Sequence, residues 1–233
     1  MATGKSLREL ELPQQRSQDD GVPFPAVLSP NSSTDSTAVQ LSAFEDAIKA
    51  HKPWLESLLL KSGAILFRGF PVTSPSDFNA VLEAFGFPEL LYVGGIAPRT
   101  QVVGRVYTAV KWVAKVGVKL EWMGNTAKII TNPLPAIKFD KESRRKMWFN
   151  TLTGSYNGPA TKKIDTRNAS AELGNGDPVD DDAMKDLLKI LEEECVAIPW
   201  KKGDVLLVNN LTVLHGRRPL IKPPRRILAS LCK

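Results

Sequence analysis

Apolar residues in this chain cluster in short blocks, of which Ala64–Phe67 and Val205–Val208 are the cleanest, each fenced by Gly, Arg, Asp or Asn. Such a block is too short to make a helix with a buried stripe, and it reads as a buried strand. Further strands are expected at Val102–Thr108, Ile129–Ile130, Ala136–Phe139, Lys146–Phe149, Leu211–His215 and Ile227–Leu231. Lys111–Trp122 suits a half-exposed strand, or a helix that breaks at Gly117 into a strand.

Helical spacing is confined to three places. Phe44, Ile48 and His51 share a face; Pro53 ends that turn, and Trp54, Leu55, Leu58 and Leu59 continue the stripe. Ser74 as N-cap, Pro75 in the first turn, Asp77 three residues on and Gly86 at the end mark the second helix, with Phe78, Val81, Leu82 and Phe85 inward. Met184, Leu187, Leu188 and Leu191 make the third stripe, and Cys195 falls on it as a packing residue. Many short strands with scattered helices point to an antiparallel β core flanked by helices, not to alternating βαβ units. Residues 1–40, rich in Ser, Pro, Gln and Asp, read as an extended, partly disordered lead-in, and residues 41–233 as one domain.

Composition narrows the chemistry. No apolar run is long enough to span a bilayer, so no membrane partner is expected. The first twenty residues have no apolar h-region and carry four acids, which argues against a signal or transit peptide and for a cytoplasmic protein. Cys195 and Cys232 are too few for a disulfide framework or a thiolate zinc site. The net charge of +6 is local: residues 201–233 hold eight Lys or Arg against Asp204, while Glu172–Glu194 holds nine acids. Because Val205–Val208 reads as buried strand within that basic end, clustered arginines suit a small anion better than nucleic acid.

His51 and His215 are the whole supply of imidazole. In the expected strand Leu211–His215, His215 shares a face with Leu211 and Val213. A lone histidine at a strand end is more often structural or exposed, but Arg225 and Arg226 follow at the start of the next strand-like run. A hairpin there would bring imidazole and guanidinium together. Imidazole suits iron, copper or zinc, and guanidinium grips a carboxylate.

Trp200-x-x-Gly203-Asp204-Val205-Leu206-Leu207 through Asn210, then His215-Gly216-Arg217 and Arg226, resembles the C-terminal signature of the TauD/TfdA (taurine dioxygenase-like) iron(II)/2-oxoglutarate oxygenases. Gly63 to Phe70 resembles that family's N-terminal strand. Tyr92-Val93-Gly94-Gly95, Ala97-Pro98-Arg99-Thr100, Lys119-Leu120-Glu121-Trp122 and Trp148-Phe149-Asn150 are similar to its plant clavaminate synthase-like members. The resemblance implies a double-stranded β-helix (jelly roll), Fe(II) as metal, 2-oxoglutarate as co-substrate, and oxidation (hydroxylation) of a small organic substrate. It implies His215 as a metal ligand and Arg226, with Arg225 beside it, as the carboxylate grip.

In that family the metal also needs a His-x-Asp/Glu pair. His51 is followed at that spacing by Pro53, so the pair is absent. A large internal segment carrying two ligands and several core strands is therefore expected to be missing around Ala109–Lys111, leaving an incomplete jelly roll. Two readings follow: an oxygenase by descent, or a non-catalytic remnant such as a truncated isoform, a gene-model fragment or a pseudoenzyme acting through interactions. His51, in a helix, is expected to be a helix histidine and no substitute ligand.

Overall fold

The computed structural model describes residues 6–31, 40–90, 99–109, 119–123, 126–130, 135–141, 144–148, 152, 173–216 and 227–232. The chain divides into two compact units, residues 1–116 with 198–233, and residues 117–197.

The first unit is built on a four-stranded mixed sheet. In order across it lie β1 (Leu7–Glu9), β4 (Ala26–Pro30), β5 (Ala64–Phe67) and β12 (Val205–Val208). β4 pairs antiparallel with β1 and parallel with β5, and β12 pairs antiparallel with β5, Phe67 facing Val205. A small hairpin, β2 (Arg16–Ser17) with β3 (Pro23–Phe24), lies between β1 and β4 in the chain. Within the segment expected as an extended lead-in, residues 6–31 thus form four strands, and Ala26 to Ser29 are buried. Prolines at 23, 25 and 30 mask that run in the sequence, because Pro is ordinarily a mark of loops and strand edges.

β4 and β5 are parallel, and the connection between them contains α1 (Leu41–Ser62). This crossover departs from the all-antiparallel core expected from the sequence. A parallel pair demands a long connection, and the 22 residues of α1 supply it. The helix runs straight through Pro53 instead of ending there. Pro53 is exposed, so the Lys49 carbonyl it leaves without an amide partner is on the outer face, where water can reach it. Meanwhile Phe44, Ile48 and Leu55 stay buried on the inner face across the proline. Gly63 closes the helix in the left-handed region (φ 81°), its N–H donating to the Leu59 carbonyl at 2.8 Å.

α2 (Pro75–Phe85) matches its sequence signals residue by residue. Ser74 Oγ accepts from the Asp77 N–H at 3.1 Å, Asp77 Oδ2 accepts from the Ser74 N–H at 2.9 Å, and Gly86 ends the helix at φ 63°. Both helices pack on one face of the sheet. Phe44 stacks on Phe70 at 3.8 Å between centroids, and Phe67 meets Phe85 edge-on at 5.8 Å. Leu7, Leu28, Ile48, Ile65 and Val81 complete this core.

The Asp77 carboxyl is held below the usual carboxylate range, first by the Thr73 N–H at 2.9 Å and then by the Thr73 hydroxyl and the Ser74 N–H. A depressed folded-state pKa stabilises the fold above the unfolded value near 4, and that stabilisation is lost as pH falls through the folded value. Asp77→Ala should therefore lower stability by about 1 kcal/mol at neutral pH. Thermal unfolding followed from pH 7 down to pH 2 should show the gap between the two proteins closing below about pH 4. A gap that stays constant to pH 2 would contradict this.

The expected single strand Val102–Thr108 is a hairpin, β6 (Arg99–Val103) and β7 (Val106–Ala109), with a register shift between Gln101 and Val103. Gly104 turns it at φ 49°, directly against Asn79, whose Oδ1 accepts from the Arg105 N–H at 2.8 Å. Ile227–Leu231, expected as a strand, makes only one isolated bridge among the described residues, Ala229 with Tyr107, and Cys232 just beyond it bridges Glu89.

The second unit contains two antiparallel hairpins, β8 (Lys119–Met123) with β9 (Thr126–Ile130) and β10 (Ile137–Asp140) with β11 (Arg145–Trp148). Of the two readings of Lys111–Trp122, its described part, Lys119 to Trp122, is strand, and residues 111–118 lie outside the described set. α3 (Asp181–Glu194) starts at Asp180, whose carboxylate accepts from the Ala183 N–H at 2.7 Å, and Asp181 and Asp182 favour its positive end. Met184 is buried as expected. Cys195 is not: it caps the helix with extended backbone (φ −65°, ψ 131°) and is exposed. A residue that leaves helical dihedrals leaves the helical stripe too, so the packing role expected for Cys195 does not hold.

Candidate functional site

β12 leads to the one imidazole of the expected site, and its entry is tightly held. Arg68, at the end of β5, donates from Nε to Asp204 Oδ1 at 3.0 Å and from Nη2 to Asp204 Oδ2 at 2.6 Å. The same Nη2 reaches the Pro199 carbonyl at 2.7 Å, and the Lys201 N–H donates to Asp204 Oδ2 at 2.8 Å. Both side chains are buried, Arg68 at 7% and Asp204 at 1% exposure. The hydrogen bond to Asp204 raises the guanidinium further above its already high pKa, so it is a permanent cation in this setting. Gly203 precedes the pair at φ 86°, where a side chain would press on the Phe70 and Val72 carbonyls.

The far end of β12 is fastened to the end of α1. The Asn209 N–H donates to the Gly63 carbonyl at 2.9 Å. The Asn209 carbonyl accepts from the amides of Thr212 and Val213 at 3.0 and 3.1 Å, and its side-chain Oδ1 accepts from the Leu211 N–H at 3.1 Å. A methyl on Gly63 would lie 2.7 Å from Val213 Cγ2, so the two segments are in close contact. Leu211 to His215 is therefore turn and irregular chain, not the expected strand: Asn209 takes amides that a ladder would need. His215 is exposed, two residues beyond Val213.

Arg225 and Arg226, with Arg217 and Arg218, lie outside the described residues, as does the hairpin expected to join them to His215. His51 stands in the middle of α1, half-buried, with Nε2 3.1 Å from Ser6 Oγ and its ring edge-on to Trp54. It is a helix histidine, as expected. Sequence reasoning missed the Arg68–Asp204 pair; its only trace is an arginine directly after one fully apolar run and an aspartate directly before another.

The donor chemistry does not fit a two-histidine, one-carboxylate metal centre. The second imidazole in the chain is committed to α1, and among the described residues no three His, Cys, Asp or Glu side chains gather as a metal site.

The sequence profile of the taurine catabolism dioxygenase TauD, TfdA family matches residues 27–120 and 121–232. The chain belongs to the TauD/TfdA family. A clavaminate synthase-like protein from Arabidopsis thaliana is 38% identical over 328 aligned positions, covering 97% of this chain and 98% of the relative. Since 97% of 233 residues is about 226, roughly 100 of those 328 positions are filled only by the relative. A dapdiamide synthesis protein, DdaC from Enterobacter agglomerans, is 25% identical over 118 residues, covering 46% of this chain and 36% of that protein. The crystal structure of PvcB from Pseudomonas aeruginosa aligns over 98% of this chain and 91% of its own, at 15% identity and a TM-score of 0.41. No helix among the described residues is long and apolar enough to cross a membrane.

Proposed function

We propose that this chain is an iron(II)/2-oxoglutarate-dependent dioxygenase by descent, on an incomplete jelly roll, and that it is non-catalytic as it stands. Its ancestral task is oxidation (hydroxylation) of a small organic molecule, with neither nucleic acid nor membrane as partner. In this reading His215 is the remaining metal ligand and Arg226, with Arg225, the remaining grip for the 2-oxoglutarate carboxylate.

One observation carries the proposal: end-to-end similarity to a family member about 100 of whose aligned positions have no counterpart in this chain. Similarity from end to end speaks for kinship, and about 100 missing positions are enough chain for several strands. A single imidazole holds a metal weakly, because each lost ligand also removes preorganisation.

The test is aerobic incubation of purified chain with Fe(II), ascorbate and 2-oxoglutarate, with succinate measured. The expected result is no succinate above the protein-free control, and no difference between the unaltered chain and His215→Ala. Succinate formed by the unaltered chain and abolished by His215→Ala would overturn the non-catalytic reading.

A further inference from the structure

Among the described residues, two buried side-chain nitrogen or oxygen atoms lack a hydrogen-bond partner, Arg105 Nε and Ser230 Oγ. Both belong to the place where residues 229–232 lie along β7 and the chain around Leu90. Tyr107 and Ala229 exchange their backbone bonds at 3.0 and 3.1 Å, and the Leu90 N–H donates to the Leu231 carbonyl at 3.0 Å. Arg105 Nη2 donates to Cys232 Sγ at 3.4 Å. Among the described residues, those four bonds hold the segment. Apolar burial adds little, since Ile227 is 45% exposed and Leu228 to Cys232 are only partly buried.

The surface that receives the segment is held by bonds of its own. The Arg105 N–H donates to Asn79 Oδ1 at 2.8 Å, and Arg105 Nη2 donates to the Phe87 carbonyl at 2.6 Å. The Tyr107 hydroxyl donates to Glu89 Oε1 at 2.8 Å, β7 is paired along β6, and Val106 is fully buried. None of these contacts needs residues 229–232.

We propose that residues 229–232 are a detachable strap, which opens and closes on β7 while the core stays folded and which governs access to the Cys232 thiol. A backbone amide gains only modestly by exchanging water for a protein partner, whereas a buried hydroxyl with no partner costs as much or more. Seating the strap makes three amide bonds and takes Ser230 Oγ out of water with no partner in exchange. Opening returns that hydroxyl to water. Segments with few buried apolar contacts open at the low end of a protein's range of local stabilities. The strap is independent of the iron reading, because neither its residues nor those that receive it are assigned to metal or 2-oxoglutarate.

Native-state hydrogen exchange on the unaltered chain reads the opening. The Leu90, Tyr107 and Ala229 amides should exchange together, about tenfold or more slower than in an unstructured chain. They should also exchange about tenfold or more faster than the Arg68 amide, which donates to the Leu28 carbonyl within the core sheet. One rate for all four amides would mean that the segment opens only with the whole fold. The unstructured-chain rate for the first three would mean that it is not seated, and either result overturns the proposal. Ser230→Ala removes the unpartnered hydroxyl and should slow those three amides by about fivefold or more. Unchanged or faster exchange in that variant also overturns it. The thiol gives a separate readout once Cys195→Ser has removed the other, exposed one. Reaction of Cys232 with dithiobis(nitrobenzoate) should slow by the same factor when Ser230→Ala is added, and a rate that does not change would show that the strap does not govern the thiol.

Discussion

Arg68→Ala should lower the free energy of unfolding by about 3–5 kcal/mol, the usual result of removing one partner of a buried ion pair. Asp204 is 1% exposed, and its two oxygens accept from Arg68 Nε, Arg68 Nη2 and the Lys201 amide. Without the guanidinium the carboxylate stays buried with only the amide, and the Pro199 carbonyl loses its donor as well. The penalty is mostly that of an orphaned charge, since an intact buried pair itself contributes little net stability. Arg68→Lys should recover only part of the loss, because an ammonium cannot make the two parallel bonds and also reach Pro199. Equilibrium unfolding in urea gives the numbers. A loss under 1 kcal/mol for Arg68→Ala would mean that water enters the site and screens Asp204.

The second large effect belongs to Phe44→Ala, expected at about 3–5 kcal/mol. Phe44 is fully buried, stacked on Phe70 and tilted 5.4 Å from Phe67, so it ties α1 to the sheet. Truncation leaves a hole beside the rings of Phe67 on β5 and Phe70 just beyond it, both buried in the same core, and such walls collapse poorly. Phe44→Leu, which keeps much of the volume, should lose less than half as much. Against an ordinary total of about 5–15 kcal/mol for a single domain, either alanine variant should also reduce the yield of folded protein. Unfolding by urea at one temperature for all three proteins is the check, and equal losses for Ala and Leu would contradict the cavity argument.

The sequence spells out those elements whose signals are local. α2 is written in Ser74, Pro75, Asp77 and Gly86 because a capping box and a left-handed C-cap use residues within a few positions of each other. β5 is legible because a strand buried on both faces has no polar alternation to confuse, and β12 because its four residues are all apolar although only Val205 is fully buried. What escaped depends on partners far away. β4 became a strand by lying between β1 and β5, and the proline-rich flanks gave no hint of the parallel neighbour. Pro53 stays helical because burial of Phe44, Ile48 and Leu55 on the opposite face outweighs a missing hydrogen bond on the exposed one. Leu211–His215 alternates like a strand, yet Asn209 draws its amides into a turn.

The candidate site divides the same way. His215 was singled out by its motif, and the place of His51 on a helix was legible from the spacing around it. The Arg68–Asp204 clamp was not, since its partners are 136 residues apart and only the fold brings them together. The missing imidazole was visible as a count: two histidines cannot supply two metal-binding imidazoles when one of them is committed to α1.

That count leads to the measurement that bears most directly on the central claim. Anaerobic titration of Fe(II) into the unaltered chain, in the presence of 2-oxoglutarate, reads both the stoichiometry and the strength of metal binding. A chain that keeps His215 and lacks the His-x-Asp/Glu pair should show no saturable one-to-one uptake and no charge-transfer absorption band on adding 2-oxoglutarate. One tightly bound Fe(II) per chain, released by His215→Ala, would contradict the claim that this family member carries only part of its metal site.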